Sequence, residues 1–270
     1  MRRIRACANV RRGSPRHRLN PADVTFVVLT KDEEDRIAGC LRSLLNTSPR
    51  LVYDAESADA TPEIARDLGA EVVSRPWLGF ARARTDAAAM VKTSWVFMLD
   101  ADERLTPELR DELIALEPPA GVDAYSVARM NIFCGRWIRG AGWWPDRLVR
   151  LFRNGRATLE SRSAESAHAV HETWRVSGRC PQLKAALEHQ SYPTLRAYRQ
   201  KFATYTALEA AGLRGRVGLG SLLSACAMVP VRALWLLIGR RGLLDGWRGV
   251  YVCLGSACYP AAVRWKARSD

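Results

Sequence analysis

Three carboxylates fall within four positions, Asp100-Ala101-Asp102-Glu103, directly after the apolar run Trp95–Leu99. Hard divalent cations such as Mg²⁺ and Mn²⁺ take oxygen ligands, and one or two carboxylates often hold them together with substrate phosphates. In open α/β sheets, ligands bind at the carboxyl ends of strands, so this cluster suits a metal-bound diphosphate. The competing reading is a solvated turn that supplies charge to the next helix. The apolar run just before it favours the first. Asp54 also closes a short segment, Arg50–Tyr53, and Glu56, Ser57, Asp59 and Thr61 follow. Helix capping accounts for Asp59, whereas Asp54 stands where a hydrogen bond to a nucleotide base is within reach.

The elements that must carry these residues are readable from periodicity. Val24–Leu29 is a continuous β-branched and apolar run, as expected of a strand buried on both faces. Ile37, Leu41, Leu44 and Leu45 recur at helical spacing. Thr61-Pro62-Glu63 and Thr106-Pro107-Glu108 both read as helix openings, with Thr as N-cap and Pro at the first helical position. Strands are expected at 50–53, 71–74 and 95–99, and helices after 61, near 79–91 and after 106. This alternation predicts an open α/β sheet with mostly parallel strands. Beyond Pro118-Pro119, strands are expected over 123–133 and 148–152, separated by a Gly/Trp/Arg-rich loop. Thr194–Ala211 reads as an amphipathic helix with Leu195, Tyr198, Phe202, Tyr205 and Leu208 on one stripe. The expected organisation is a flexible basic arm (1–22), a catalytic domain (23–192), and a C-terminal amphipathic and apolar helical region (193–270).

The 270 residues carry a formal charge of +13, distributed unevenly. Residues 1–20 contribute +7 and residues 191–270 contribute +9, which leaves −3 for the body. The C-terminal basic residues alternate with apolar stretches, as in Val229–Ile238. That mixture suits an anionic membrane surface better than nucleic acid, whose binding arms are polar throughout. Val217–Ile238 approaches a membrane span in length, but Pro230 and Arg232 interrupt it, so the expectation is a helix lying in the interface. The seven cysteines form no CxxC pair, as expected of reduced thiols in a cytosolic compartment. No signal peptide is visible, since the first twenty residues lack an apolar core.

The run Thr25-Phe-Val-Val-Leu-Thr-Lys-Asp-Glu-Glu, then Asp54-Ala-Glu-Ser-Ala-Asp-Ala-Thr, then Asp100-Ala-Asp-Glu resembles the successive signatures of family-2 inverting glycosyltransferases. Arg129-Met-Asn-Ile-Phe, Gly142-Trp-Trp-Pro-Asp-Arg-Leu-Val-Arg-Leu-Phe, Val170-His-Glu, His189-Gln-Ser-Tyr and Arg241-Gly-Leu-Leu-Asp-Gly-Trp-Arg-Gly are similar to the lipopolysaccharide-core β-glucosyltransferase branch. The resemblance covers roughly residues 24–262. It implies the GT-A fold, a Rossmann-like and mostly parallel sheet, with membrane-associating helices at the C-terminus. It further implies that Leu29, Thr30 and Glu33 line a nucleotide pocket, that Asp54 meets the base, and that Asp100 approaches the ribose and metal. Asp102 would be the principal metal ligand and His189 a further one. Without the resemblance, His189 reads as a capping or core histidine. The second signature departs from the usual Asp-Ser-x-Ser-Thr-Asp-Gly-Thr, and Ala60 in place of Gly constrains the backbone there.

An inverting transfer needs a base for the acceptor hydroxyl and cationic charge for the leaving diphosphate. Glu172, beside His171, matches the family's acidic catalytic position. Asp146, after the stiff aromatic loop Gly142–Pro145, is the alternative, and an ion pair of Glu172 with Arg175 is the non-catalytic reading. Arg147, with Arg150 and Arg153, is a candidate for holding phosphate. The expected reaction moves a hexose from a nucleotide sugar, UDP-glucose by resemblance, to a lipid-linked glycan such as a lipopolysaccharide core. Transfer to a polyprenyl-phosphate-linked sugar is the alternative, and the expected site of action is the cytoplasmic face of a bacterial plasma membrane. A basic nucleic-acid-binding protein of a different class would leave the strand-end carboxylates unexplained.

Overall fold

In the computed structural model, residues 18–161 and 172–269 are described, with the side chains of Ser161, Glu172 and Thr173 excluded. Residues 1–17 of the basic arm and His171 lie outside the described residues. The last part of the arm is packed: Leu19 is buried, and its N–H donates to the Leu116 carbonyl at 2.6 Å.

A single curled sheet organises the chain. Strands β1 (Val24–Thr30), β2 (Arg50–Asp54), β3 (Glu71–Ser74) and β4 (Trp95–Asp100) run parallel in the order β3-β2-β1-β4. Helices α1 (Glu34–Arg42), α2 (Thr61–Asp67) and α3 (Phe80–Ala89) make the crossovers. β1 is buried along its whole length. Phe26 and Phe97 meet across the β1–β4 pair with ring centroids 5.1 Å apart, and each fully buried side chain of this kind contributes ~1.5–3 kcal/mol.

Past β4 the sheet becomes mixed, where a mostly parallel arrangement was expected. β5 (Glu103–Leu105) leads into α4 (Pro107–Ala115). β6 (Ala124–Phe133), the short β7 (Arg136–Trp137) and β8 (Asp146–Arg153) then follow without an intervening helix. Strands joined without a helical crossover must run antiparallel. Accordingly β8 pairs antiparallel with both β4 and β6. β11 (Gln182–Tyr192) pairs parallel to β6 and antiparallel to β5, completing the order β4-β8-β6-β11-β5. β9 (Ala157–Ser161) and β10 (Glu172–Val176) form a separate antiparallel pair.

Thr106 caps α4 as expected, accepting from the Leu109 N–H at 3.2 Å. Thr61 does not cap α2 but is its first residue, and its hydroxyl accepts from the Glu33 N–H at 2.8 Å while donating to Asp59. That bond ties the loop after β1 to the loop after β2.

Three helices close the fold: α5 (Leu195–Ala211), α6 (Leu219–Leu234) and α7 (Gly246–Ser269). α6 runs through Pro230 and Arg232 without a break and continues as a π turn, Trp235–Gly239, where an interruption was expected. Together Leu219–Gly239 is long and apolar enough to cross a membrane, with mean hydropathy 1.9, and most of it is exposed. Val252, Cys253 and Ala257 of α7 pack with Phe133, Ile138 and Tyr198, so α7 shares a core with the sheet.

Candidate active site

The register of the sheet gathers the site. Leu29 lies opposite Asp100, while His189 lies opposite Asn131 on one side and Glu103 on the other. The Gln190 N–H donates to the Asp102 carbonyl at 2.9 Å, which fixes β11 against the turn between β4 and β5. A cavity of about 1100 Å³ opens over these strand ends. Leu29, Thr30, Glu33, Asp100, Asp102, Asp146, Arg147 and His189 all line it.

The three carboxylates of residues 100–103 have two kinds of surroundings. Glu103 is completely buried and accepts from Arg150 and from Arg129 Nη1. Asp100 is held at 3.0 Å by Arg84 through Oδ1 and at 3.0 Å by Arg150 through Oδ2. Arg129 also donates to Asp146 Oδ2 at 2.6 and 2.9 Å. Three carboxylates thus face three guanidiniums in one continuous network. Burial alone would push the Asp100 carboxyl up, but Arg84, Arg150 and Arg129 outweigh it and hold the group well below the usual carboxylate range. For Asp102, burial likewise pushes up, and the His189 hydrogen bond and charge bring it below the ordinary value. Burial of Glu33 has the opposite outcome: it outweighs the Arg36 partner and raises the pKa.

His189 is oriented by Asn131. The Asn131 amide nitrogen faces two acceptors, the Trp143 carbonyl and Asp146 Oδ2, each at 3.3 Å. Its oxygen therefore faces His189 Nδ1, at 2.6 Å, and Nδ1 must carry the proton. That orientation turns Nε2 toward Asp102 Oδ2, 3.4 Å away, where a proton on Nε2 makes the two an ion pair. A divalent cation can take the place of that proton, since a histidine oriented through its other nitrogen is the usual form of a metal ligand. These two residues fit a divalent ion whose remaining partners are phosphate oxygens and water. Among the described residues no third carboxylate, thiol or imidazole joins them. Asp100, the other expected carboxylate ligand, pairs with Arg84 and Arg150. Lys201 Nζ, on α5, stands 3.9 Å from Asp102 Oδ2.

Asp54 is buried, and its oxygens accept from the Ser57 N–H and hydroxyl and from the Ser74 hydroxyl. It shapes the loop at the edge of the cavity. Arg147 lines the cavity and donates to the Leu183 carbonyl at 3.2 Å. Glu172 begins β10, and its side chain lies outside the described residues. Arg175, its suggested ion-pair partner, pairs with Glu160 at 3.0 Å. Asp146 Oδ1 makes no hydrogen bond among the described residues, so one oxygen of this cavity-lining carboxylate is available. Arg84, Asn131 and Lys201 were not singled out from sequence. Only Asn131 had a signal, lying in the Arg129-Met-Asn stretch. Arg84 sits on a helix of weak amphipathicity, and Lys201 was hidden beside the aromatic stripe of α5.

Comparison with known proteins bears on this geometry. Residues 25–182, more than half of the chain, match the family model described as Glycosyl transferase family 2. An uncharacterized glycosyltransferase of Rickettsia typhi is 43% identical over 110 residues, 40% of this chain and 38% of that protein. The lipopolysaccharide core biosynthesis glycosyltransferase LpsC of Rhizobium meliloti is 28% identical over 146 residues, 49% of this chain and 52% of that protein. The chain spans about two fifths of the length of the Rickettsia proteins it matches. Among solved structures, the mannosyltransferase PcManGT from Pyrobaculum calidifontis, in complex with GDP-Man and Mn²⁺, aligns over 95% of this chain and 89% of that one. The TM-score is 0.52 at 16% identity, a likeness of fold.

Proposed function

This chain belongs to glycosyl transferase family 2 with a mixed α/β GT-A fold, and from that footing we propose that it transfers a hexose from a nucleotide sugar, with inversion, to a lipid-linked saccharide. The observation that carries the reading is the Asp102–His189 pair in the wall of the large cavity. Arg84, Arg129 and Arg150 line it with carboxylate partners of their own, and Lys31 pairs with Asp32, so Arg147 and Lys201 are the cations best placed for a diphosphate. A divalent cation, Mg²⁺ or Mn²⁺, held by Asp102 and His189 would supply charge to the leaving diphosphate.

The chain's own residues would do the rest. Leu29, Thr30 and Glu33 would border the nucleotide, with Asp54 holding the loop that faces the base. Asp146 Oδ1 would take the proton of the acceptor hydroxyl as its oxygen attacks the anomeric carbon. The bond from that carbon to the diphosphate oxygen breaks and its electron pair leaves with the diphosphate, toward Lys201 and Arg147. Arg129, bound to Asp146 Oδ2, fixes the orientation of the base. Glu172 is the competing base, from the resemblance of its motif. UDP-glucose is the favoured donor, and a polyprenyl-phosphate-linked sugar is the alternative acceptor. The exposed apolar residues Leu234, Trp235 and Ile238, with Arg232 and Arg240 among them, favour attachment to an anionic membrane surface.

The test is calorimetry with UDP and GDP in the presence of Mn²⁺, followed by a nucleotide-sugar turnover panel. Binding that requires the metal and is lost in Asp102→Asn supports the reading. A wild-type protein that binds no nucleoside diphosphate with metal present would sink it.

A further inference from the structure

A second, smaller opening, here called the branch, adjoins the large cavity. Its volume is about 240 Å³, and it shares Trp143, Tyr192 and Tyr205 with the large cavity and runs on between α5, α6 and α7. Tyr198, Phe202 and Tyr259 wall the branch, with Phe202 and Tyr259 edge to face at 5.5 Å. On the α7 side lie Gly255 and Ser256, and any side chain at 255 would run into the Tyr198 hydroxyl. Glycine there is what lets Tyr198 stand close against α7.

The chemistry of the walls is specific. Aromatic faces cover the C–H surfaces of sugar rings, and phenol hydroxyls pair with sugar hydroxyls. The outer lip is different in kind. Arg232 of α6 borders the branch, is exposed, and has no acidic partner among the described residues. Met228 and Trp235, 46% and 55% exposed, lie one turn before and after it on the same helical face. A lone cation within an outward apolar face matches an amphiphile whose charge is negative.

We propose that this branch is the stem site for an anionic glycolipid, with saccharide against the tyrosine and phenylalanine walls, its phosphate or carboxylate at Arg232, and its apolar chain along the Met228–Trp235 face. The assignment rests on the chain being a transferase to lipid-linked saccharides, and it adds where the acceptor's lipid end lies. Trp143, Tyr192 and Tyr205, which border both openings, give the acceptor a direction: sugar toward Trp143, lipid toward α6.

Three synthetic probes test it below their micelle concentrations: dodecyl glucosyl phosphate, neutral dodecyl glucoside, and methyl glucosyl phosphate. Binding is read by tryptophan fluorescence, with UDP and Mn²⁺ binding measured alongside by calorimetry. Wild type should bind the dodecyl phosphate at least tenfold more tightly than either other probe. Arg232→Ser, a surface change, should remove the preference over the neutral glucoside, and Ser256→Trp should fill the branch and abolish binding of all three. Equal affinity for the three probes in wild type, or an unchanged preference in Arg232→Ser, would overturn the proposal. If those failures occur while UDP still binds with Mn²⁺, the stem site falls and the transferase reading stands. Loss of UDP binding by wild type would remove both.

Discussion

Glu103→Gln separates the scaffold from the chemistry within one four-residue cluster. The substitution keeps shape and removes one negative charge from a network of three carboxylates and three guanidiniums, where Glu103 itself is fully buried. Removing one partner of a buried ion pair costs about 3–5 kcal/mol, because the other charge is left uncompensated. Here Asp100 still pairs with Arg150 and Asp146 with Arg129, so the lower end, about 3 kcal/mol, is expected. At ~2–4 °C per kcal/mol for a chain near this size, the melting temperature should fall by about 6–12 °C. Pairing the change with Arg150→Met restores charge balance, with Asp100 on Arg84 and Asp146 on Arg129, and should recover at least half the loss. The assay is thermal unfolding by circular dichroism on all three proteins. A melting temperature for Glu103→Gln within ~2 °C of wild type would show that the network is not what holds the β4–β5 turn, and the division within that cluster would fail.

Four further outcomes follow from the same geometry. Asp102→Asn should lose metal-dependent nucleotide binding with little change in melting temperature; a large destabilisation would place Asp102 in the scaffold instead. Asn131→Leu removes the closer of the two partners of His189 Nδ1 and leaves Ser191 Oγ at 3.0 Å, so Mn²⁺ affinity should fall toward the lower end of the about 10–100-fold seen for groups that orient a metal ligand, and calorimetry that finds no weakening would contradict the assigned ring orientation. For the base, Asp146→Asn should lower turnover by at least about 100-fold while donor binding persists, and Glu172→Gln should not; the reverse result would move the role to Glu172. The Asp100 carboxyl lies below its unfolded value, so its contribution to stability is fully present above pH ~4 and is lost as pH falls toward the folded value. Acid unfolding should therefore be shallower in Asp100→Asn than in wild type, and identical slopes would exclude that contribution.

How far the sequence foretold this site depended on whether each signal was local. The strand–helix alternation from Val24 to Ala115 was readable because each element carries its own apolar period, and the strand-end carboxylates came with it. β11 was not anticipated, although Leu183, Leu187 and Ser191 are buried along it, because Leu183 and Leu187 stand four apart, a spacing that suits a helix as well as a strand. Its pairing with both β5 and β6 is a long-range event that places His189 beside Asp102 across 87 positions of sequence. The roles of Asp100 and Glu103 were equally hidden, since the arginines that claim them come from α3, β6 and β8. A carboxylate cluster reads the same whether its partner is a metal or a guanidinium, and only the fold distinguishes them.

The C-terminal stretch Arg241–Gly249 shows the same principle working at longer range. Asp245 is buried and accepts from the backbone N–H groups of Arg139 and Gly140, at 2.7–3.2 Å. Gly242 sits against Cys253, and Gly249 against the Gly242 carbonyl, with no space for a side chain at either. The Ala141 N–H is bound in turn by the Arg240 carbonyl at 2.9 Å. This segment therefore clamps the loop that delivers Trp143 to the cavity and leads into Asp146. Asp245→Ala leaves the buried Gly140 N–H and the part-buried Arg139 N–H without their acceptor, and the buried one alone costs about 1–3 kcal/mol. The expected consequence is specific: a loosened 139–146 loop should weaken turnover and acceptor binding more than nucleotide binding, because Asp102 and His189 are fixed by β4, β5 and β11 instead. Equal losses in nucleotide and acceptor binding would show that the helices support the whole site rather than this loop. On the geometry seen here, removing α7 to test membrane attachment would also expose Phe133 and Ile138. Charged replacements at Leu234, Trp235 and Ile238 are the sounder probe, since these side chains already face outward.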